Sequence, residues 1–459
     1  MTFRKIKNIF FVGIGGIGMS GIAELLSNLS FNISGSDINK NENVKRLKSI
    51  GIKVYIGHDP RNIKEADALV YSSAVPMENP EIIKARQKGI PVIRRAEMLG
   101  ELISLKETSI AVGGTHGKTT TSSMIGTILH HAKKHPTLVV GGLVHNFKSN
   151  SNLGKGNMIV VEADEFDRSF LALKPTISIV TNIELEHTDC YTDLKELKTA
   201  FIQFCKSVPF YGASIVCIDS PAVREILPYI ERPMTTYGRS RDAAYRAENI
   251  RFNENKSTYT VFCAEECLGE IKLNVPGEHN VLNSLAAVTL GLEMGLSFQT
   301  IEKGIFKYLG VRRRFDIKGI HNDIMVVDDY AHHPTEVEAT LKAAKSGWKR
   351  RVLAIFQPHL FSRTRDFFKE FATVLQLADF VILTDIYPAR EKPIPNITTK
   401  LIYTELYKVM KNNCILLSDL DDLNKVIFRI IKSGDMVLTM GAGSIWRYSD
   451  SFYQDLIKS

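Results

Sequence analysis

The chain has 459 residues, 44% of them apolar and 24% charged, with 58 Lys and Arg against 50 Asp and Glu. That length exceeds one ordinary core and predicts about two to four domains. No apolar run approaches the roughly 20 residues that cross a bilayer. The net charge of +8 is dispersed, with its tightest cluster at Arg312–Arg314. Neither membrane insertion nor nucleic-acid binding is therefore expected, and acidic small substrates such as nucleotides account for the basic balance equally well.

The opening "MTFRKIKNIFFVGIGG" is basic and then apolar, like a signal peptide, but it breaks into glycines and no small-residue cleavage site follows. It reads instead as a first Rossmann strand. "IFFVGI" predicts a strand, "GMSGIAELLSNL" an amphipathic helix, "NISGSD" a second strand ending at Asp37, and "ENVKRLKSIG" a helix stopped by Gly51. "KVYIG", "ALVYSSAV" and "PVIRR" are further short strands, and "RRAEMLGELISLK" is a helix leading out. The alternation predicts a parallel α/β unit. Gly13, Gly15 and Gly18 fit the G-x-G-x-x-G dinucleotide fingerprint, and Asp37 stands 19 residues after Gly18, as a ribose ligand would.

A second unit starts near Thr108 with "TSIAVGGTHGKTTTSSMIGTILHHA", again strand, glycine loop, helix. Backbone N–H groups at such a helix start favour phosphate. Lys118 would reach the β- and γ-phosphates, and Thr119 would offer a hydroxyl to Mg²⁺. The strict P-loop rule fails only because Val112 occupies the first glycine position. "MIVVEADEFD" is an apolar strand ending at Glu162, and ligands gather beyond the carboxyl ends of such strands. Asp164, Glu165 and Asp167 read as ordinary surface acids of the loop. "TNIELEHTD" ends the next strand with Asn182, Glu184, Glu186, His187 and Asp189. There His187 could bind a second metal or orient substrate, though alone it reads as a polar loop residue. Residues 235–275 alternate like strands, and "HNVLNSLAAVTLGLEMG" is a long helix. Asn280 and Asn283 sit one turn apart on it; an N-cap and a nucleotide contact both remain open for Asn280.

A third unit begins near Val311. "IMVVDDYAHHPTEVEATLKAAKS" and "RVLAIFQPHLFSRTRDFFKEFATVL" each run strand, loop, helix, and "FVILTDIYPA" and "DMVLTMGAGSIW" are later strands. The six cysteines are scattered with no C-x-x-C pair, and Cys263 and Cys267 have no partner pair, so reduced thiols in the cytoplasm are expected rather than a zinc site. A hydride-transfer enzyme has no need of an ATP-type phosphate loop with Mg²⁺ ligands. The N-terminal glycines are therefore better read as binding some nucleotide diphosphate, its pyrophosphate at the helix start.

The set "FVGIGGIGMSGIAELL", "GTHGKTTT", "VEADEFDRSF", "TNIELEHTDCY", "GEHNVLNSLAA", "RRRFD", "VDDYAHHPTEV", "FQPHLFSRT" and "MVLTMGAG" resembles the bacterial Mur ligases, in order, over residues 10–444. "GIGGIGMSG" and "DDYAHHPTE" are more particular to the alanine-adding branch. The resemblance implies a three-domain α/β fold. A Rossmann-like UDP-substrate domain would span residues 1–107, a central P-loop-type ATPase domain 108–310, and a Rossmann-like amino-acid domain 311–459. It implies that UDP-N-acetylmuramate and L-alanine are joined in the cytoplasm, by a monomer or homodimer, with ATP and Mg²⁺ and through an acyl phosphate.

Carried over residue by residue, the UDP-substrate would meet Gly13, Gly15, Gly16, Ile17, Gly18, Asp37, Ser72 and Ser73. ATP would meet Gly114, Thr115, His116, Gly117, Lys118, Thr119, Thr120, Asn280, Asn283 and Arg314, with Asp328 or Asp329 near the ribose. Lys118, His187 and Arg314 would be catalytic, and Thr119, Glu162 and His187 would hold metal. Tyr330, His332, His359 and Arg363 would line the alanine side; a guanidinium suits a carboxylate as a bidentate donor. The carbamylated lysine of several relatives has no evident equivalent, and no base for the amine is evident. The rival readings are a murein tripeptide ligase, folylpolyglutamate synthase, an NAD-dependent dehydrogenase and a non-enzymatic nucleotide-binding module.

Overall fold

A computed structural model describes residues 6–147, 149–186, 190–389 and 391–458. Three sheets follow one another along the chain. The first holds β1 (Asn8–Val12), β2 (Asn32–Asp37), β3 (Lys53–Ile56), β4 (Ala68–Tyr71) and β5 (Val92–Arg94), all parallel in the order β3-β2-β1-β4-β5. Phe10, Phe11 and Val12 of β1 are buried, because helices cover both faces of a parallel sheet. The strand order reverses at β1, which opens a crevice at its carboxyl end. The glycine turn occupies that crevice, and the helix Ile17–Asn28 leaves from it.

The second sheet takes β6 (Thr108–Gly113), β7 (Thr137–Val144), β8 (Ser149–Asn152), β9 (Met158–Glu162), β10 (Ile177–Val180), β11 (Ala213–Cys217), β12 (Met234–Gly238), β13 (Tyr245–Asn253), β14 (Lys256–Cys263) and β15 (Glu266–Leu273). Their order is β15-β14-β13-β12-β11-β10-β6-β9-β7-β8. β6 lies between β9 and β10, parallel to both. Its register pairs Val112 with Glu162 on one side and Gly113 with Val180 on the other. Two neighbouring strand ends, one bearing Glu162 and the other leading to Asn182, therefore open on the loop that follows β6. Phe170, Phe201 and Phe204 pack together beneath it, with Phe170 centred 5.1 Å from each of the other two rings.

The third sheet runs β16-β17-β21-β18-β19-β20, from β16 (Asp316–His321), β17 (Ile324–Asp329), β18 (Arg351–Phe356), β19 (Phe380–Thr384), β20 (Cys414–Leu417) and β21 (Asp435–Met440). Only β16 is antiparallel there. The register sets Asp329, Met440 and Phe356 side by side at the carboxyl edge. The α/β architecture with three successive sheets agrees with the three-domain fold expected from sequence. By packing, the chain forms two compact units. The first comprises residues 1–248, 260–271 and 282–308, and the second 249–259, 272–281 and 309–459. The long helix Glu278–Glu293 contributes to both, so Asn280 falls in the second unit and Asn283 in the first. Among the described residues no helix is long and apolar enough to cross a membrane.

Candidate active site

The glycine loop leaves β6 at Gly113 and enters the helix Lys118–His131. Two glycines make the turn. Gly114 (φ 129°) would bring a Cβ 2.1 Å from Thr181 Oγ1, and Gly117, the helix N-cap, has φ 82°. Both are left-handed positions that side chains resist. The end of β10 threads the loop. Thr115 N donates to Asn182 O (3.1 Å), His116 N donates to Asn182 Oδ1 (2.8 Å), and Thr181 Oγ1 donates to His116 O (2.6 Å). Thr120 lies buried in the first turn of the helix.

Lys118 Nζ donates to Gly114 O (2.6 Å), Thr115 O (3.0 Å) and Glu165 Oε2 (2.8 Å). Glu165 is 1% exposed, so its reading as a surface acid is corrected: it is the buried counter-ion of the loop lysine. The "DEFD" run is locally indistinguishable from solvated charge, and Glu165 is drawn in by distant packing. Tyr191, itself buried, donates its hydroxyl to Glu165 O at 2.7 Å. Burial pushes the Glu165 carboxyl up, to about 7, against the pull of the Lys118 ammonium. Burial also opposes the charge on Lys118, but Glu165, Asp164 and Glu162 outweigh it and raise its pKa. The side chain of Asp167 lies outside the described residues.

Thr119 Oγ1 donates to Glu162 Oε2 at 2.9 Å, and Gly141 N donates to the same oxygen at 2.7 Å. A hydroxyl and a carboxylate converging beside a phosphate loop are hard oxygen donors of the kind Mg²⁺ takes. His187 lies outside the described residues. His116 Nε2 stands 3.4 Å from Glu184 Oε2. Asn283 faces Gly117. Asn280 is not an N-cap: it lies inside the helix that starts at Glu278, and its amide donates to Pro276 O at 2.7 Å.

In the N-terminal sheet Gly13 turns with φ 78°, and its N–H donates to Ser36 O at 2.8 Å. Gly16 precedes the helix that starts at Ile17. Asp37 holds this loop: its Oδ2 accepts from Gly15 N at 2.8 Å and its Oδ1 from Asn39 N at 2.9 Å. Asn41 and Asn43 donate their amides to Gly15 O. Arg95 Nη1 lies over Gly18, 2.9 Å from where a Cβ would stand. Arg95 also lines a cleft of about 330 Å³ with Ser73, Arg94 and Arg168, one residue beyond Ser72. Sequence reasoning missed Arg95; its one signal is its place at the start of a helix that follows a strand.

In the second unit Asp328 is fully buried, accepting from Arg313 Nε (3.2 Å) and Thr439 Oγ1 (2.8 Å). Asp329 accepts from Phe315 N and Ala331 N, both at 2.7 Å. Burial pushes its carboxyl up to about 6, opposed by the Arg314 charge and those two N–H groups. Arg314 stacks over Tyr330 at 5.4 Å and faces Glu336 Oε1 at 3.4 Å. Tyr330, His332 and His359 form a chain of rings 5.2 and 5.7 Å apart, and Arg363 Nη1 is 3.2 Å from His359 Nδ1. The structure thus brings all four proposed amino-acid residues together. It adds Tyr387, also missed from sequence, whose ring lies nearly parallel to His359 at 5.9 Å. Tyr387 N donates to Pro358 O and Leu360 N donates to Tyr387 O, so β19's exit loop locks onto β18's.

Three family models match in chain order: the Mur ligase family catalytic domain over residues 8–107, the Mur ligase middle domain over 112–291, and the Mur ligase glutamate ligase domain over 313–443. The chain belongs to the Mur ligase family, a family of ATP-dependent acid–amino-acid ligases. A protein of Geotalea uraniireducens (strain Rf4) named UDP-N-acetylmuramate–L-alanine ligase is 46% identical over 454 residues, covering 99% of each chain. One of the same name from Geobacter sulfurreducens is 44% identical, covering 99% of this chain and 98% of its own. The solved UDP-N-acetylmuramate–alanine ligase of Thermotoga maritima superposes with a TM-score of 0.85 at 30% identity, covering 98% of this chain and 99% of that one. A murein peptide ligase from Psychrobacter arcticus shares the fold, with a TM-score of 0.72 at 24% identity and 98% of each chain covered.

Proposed function

We propose that this chain joins L-alanine to the lactyl carboxylate of UDP-N-acetylmuramate, with ATP, as a cytoplasmic step of peptidoglycan precursor synthesis. The observation that carries the reading is end-to-end identity of 46% to relatives named for that reaction. The domains would divide at 1–107, 108–310 and 311–459. The lactyl carboxylate attacks the γ-phosphorus, the bond from that phosphorus to the β–γ bridging oxygen breaks, and ADP leaves. The amine of alanine, having lost a proton, attacks the acyl carbon, and the carbon–oxygen bond to phosphate breaks.

An anionic nucleophile approaching a polyanion needs positive charge fixed in advance. Lys118 supplies it, and loop N–H groups cradle the phosphates. Thr119, Glu162 and His187 would hold Mg²⁺, which when bound adds further charge compensation on the phosphates. Arg314 adds a second cation for them. Asn280, Asn283 and one of the aspartates Asp328 and Asp329 serve the nucleotide. Gly13–Gly18, Asp37, Ser72 and Ser73 serve the UDP moiety, with Arg95 joining them as a pyrophosphate partner. Tyr330, His332, His359 and Arg363 receive alanine, the guanidinium taking its carboxylate.

Phosphate release from ATP and Mg²⁺ tests the reading. Release should need UDP-N-acetylmuramate and L-alanine together. Release with the murein tripeptide but not alanine would move the assignment to the recycling ligase.

A further inference from the structure

Lys118 has three ammonium donors, and in this structure the protein takes all three: Gly114 O, Thr115 O and Glu165 Oε2. A phosphate oxygen can reach Nζ only by displacing one of them. The two carbonyls belong to the loop itself and neutralise nothing. Glu165 is different. It is the acidic partner, is 1% exposed, and sits on backbone pinned from two sides, since Glu165 O accepts from Tyr191 Oη (2.7 Å) and from Arg168 N (3.0 Å). None of the ligation roles assigned above falls to Glu165.

We infer that Glu165 is a positioning residue that stands in for the nucleotide's terminal phosphates at Lys118: it holds the ammonium in place before nucleotide binds, and it competes with phosphate for that donor. The inference rests on the ATP reading above. Two consequences separate it from a merely structural acid. Removing the charge should tighten nucleotide binding, because a buried carboxylate beside the phosphates is lost and the neutral acceptor left on Lys118 is more easily displaced. The gain should also depend on phosphates that reach Lys118, and so should be absent for AMP.

The test is binding of a non-hydrolysable ATP analogue with Mg²⁺, and of AMP, to the full-length protein and to Glu165→Gln. The analogue should bind on the order of tenfold more tightly to the variant, with AMP unchanged within about twofold. In turnover the KM for ATP should fall while kcat does not rise. Equal or weaker analogue binding, or a matching gain for AMP, overturns the inference. Should Glu165→Gln fail to fold, Glu165→Asp decides: its withdrawn carboxylate should still give a smaller gain, and none overturns the proposal. If the unmodified protein binds no analogue at all, the ATP reading itself fails.

Discussion

Gly117 turns directly against the Asn283 amide: a Cβ on Gly117 would stand 2.3 Å from Asn283 Oδ1. The phosphate loop and the helix Glu278–Glu293 are thus fitted to each other with no room for a methyl group. Its left-handed φ of 82° adds about 1–2 kcal/mol against any L side chain. Gly117→Ala should lose about 2–4 kcal/mol of stability and raise the KM for ATP at least tenfold. Adding Asn283→Ala should recover part of the stability and none of the nucleotide affinity. Chemical denaturation with steady-state kinetics checks both; an unchanged KM in Gly117→Ala would contradict this account of the loop.

Lys118 and Glu165 form a buried pair, so removing one partner strands the other. Lys118→Met should cost about 3–5 kcal/mol and lower turnover by at least about 10²–10³-fold. Lys118→Met with Glu165→Gln should regain most of the stability with turnover still lost. A double variant as unstable as the single would show that the pair is not the source of the loss.

Arg95 lies over the first turn after the N-terminal glycines, where a pyrophosphate would sit. A hydrogen bond to a charged group is worth about 1.5–3 kcal/mol. Arg95→Ala should therefore raise the KM for the sugar nucleotide about 10- to 100-fold while the KM for ATP stays within about twofold. Equal rises in both would place Arg95 in support of the fold instead.

Asp329 is buried, and its carboxyl titrates at about 6 rather than its ordinary 3.8. The folded state therefore holds its proton more tightly than the unfolded state does. The resulting stability is fully present below about pH 4 and is lost as pH rises through about 6. Its span is on the order of 3 kcal/mol. Asp329→Asn should flatten the pH dependence of unfolding between pH 4 and 6 by that order. Parallel curves for the two proteins would refute the shift.

Much of this site is legible in the residues themselves. A strand, a glycine turn and a helix start recur in each unit, and Lys118 and Thr119 follow from that turn alone. Glu162 follows too, because parallel register carries a strand-final acid to the neighbouring loop. Burial was not legible. Glu165 sits among acids that look solvated, and only Tyr191, 26 residues away, shows that it is internal. Asp37 has the spacing of a ribose ligand, yet in this structure its carboxylate braces Gly15. Tyr387 meets His359 through a single isolated bridge between two strand exits, a contact with no sequence period. Asn280 resembles a helix start only while the helix boundary is unknown.

The central claim is that the substrate carboxylate itself attacks ATP. Carboxyl-¹⁸O UDP-N-acetylmuramate, incubated with the protein, ATP, Mg²⁺ and L-alanine, tests it most directly. The account predicts that the released phosphate carries one ¹⁸O from the substrate, because the oxygen that attacks phosphorus leaves with it when the amide forms. Amide product accompanied by unlabelled phosphate would contradict an acyl phosphate.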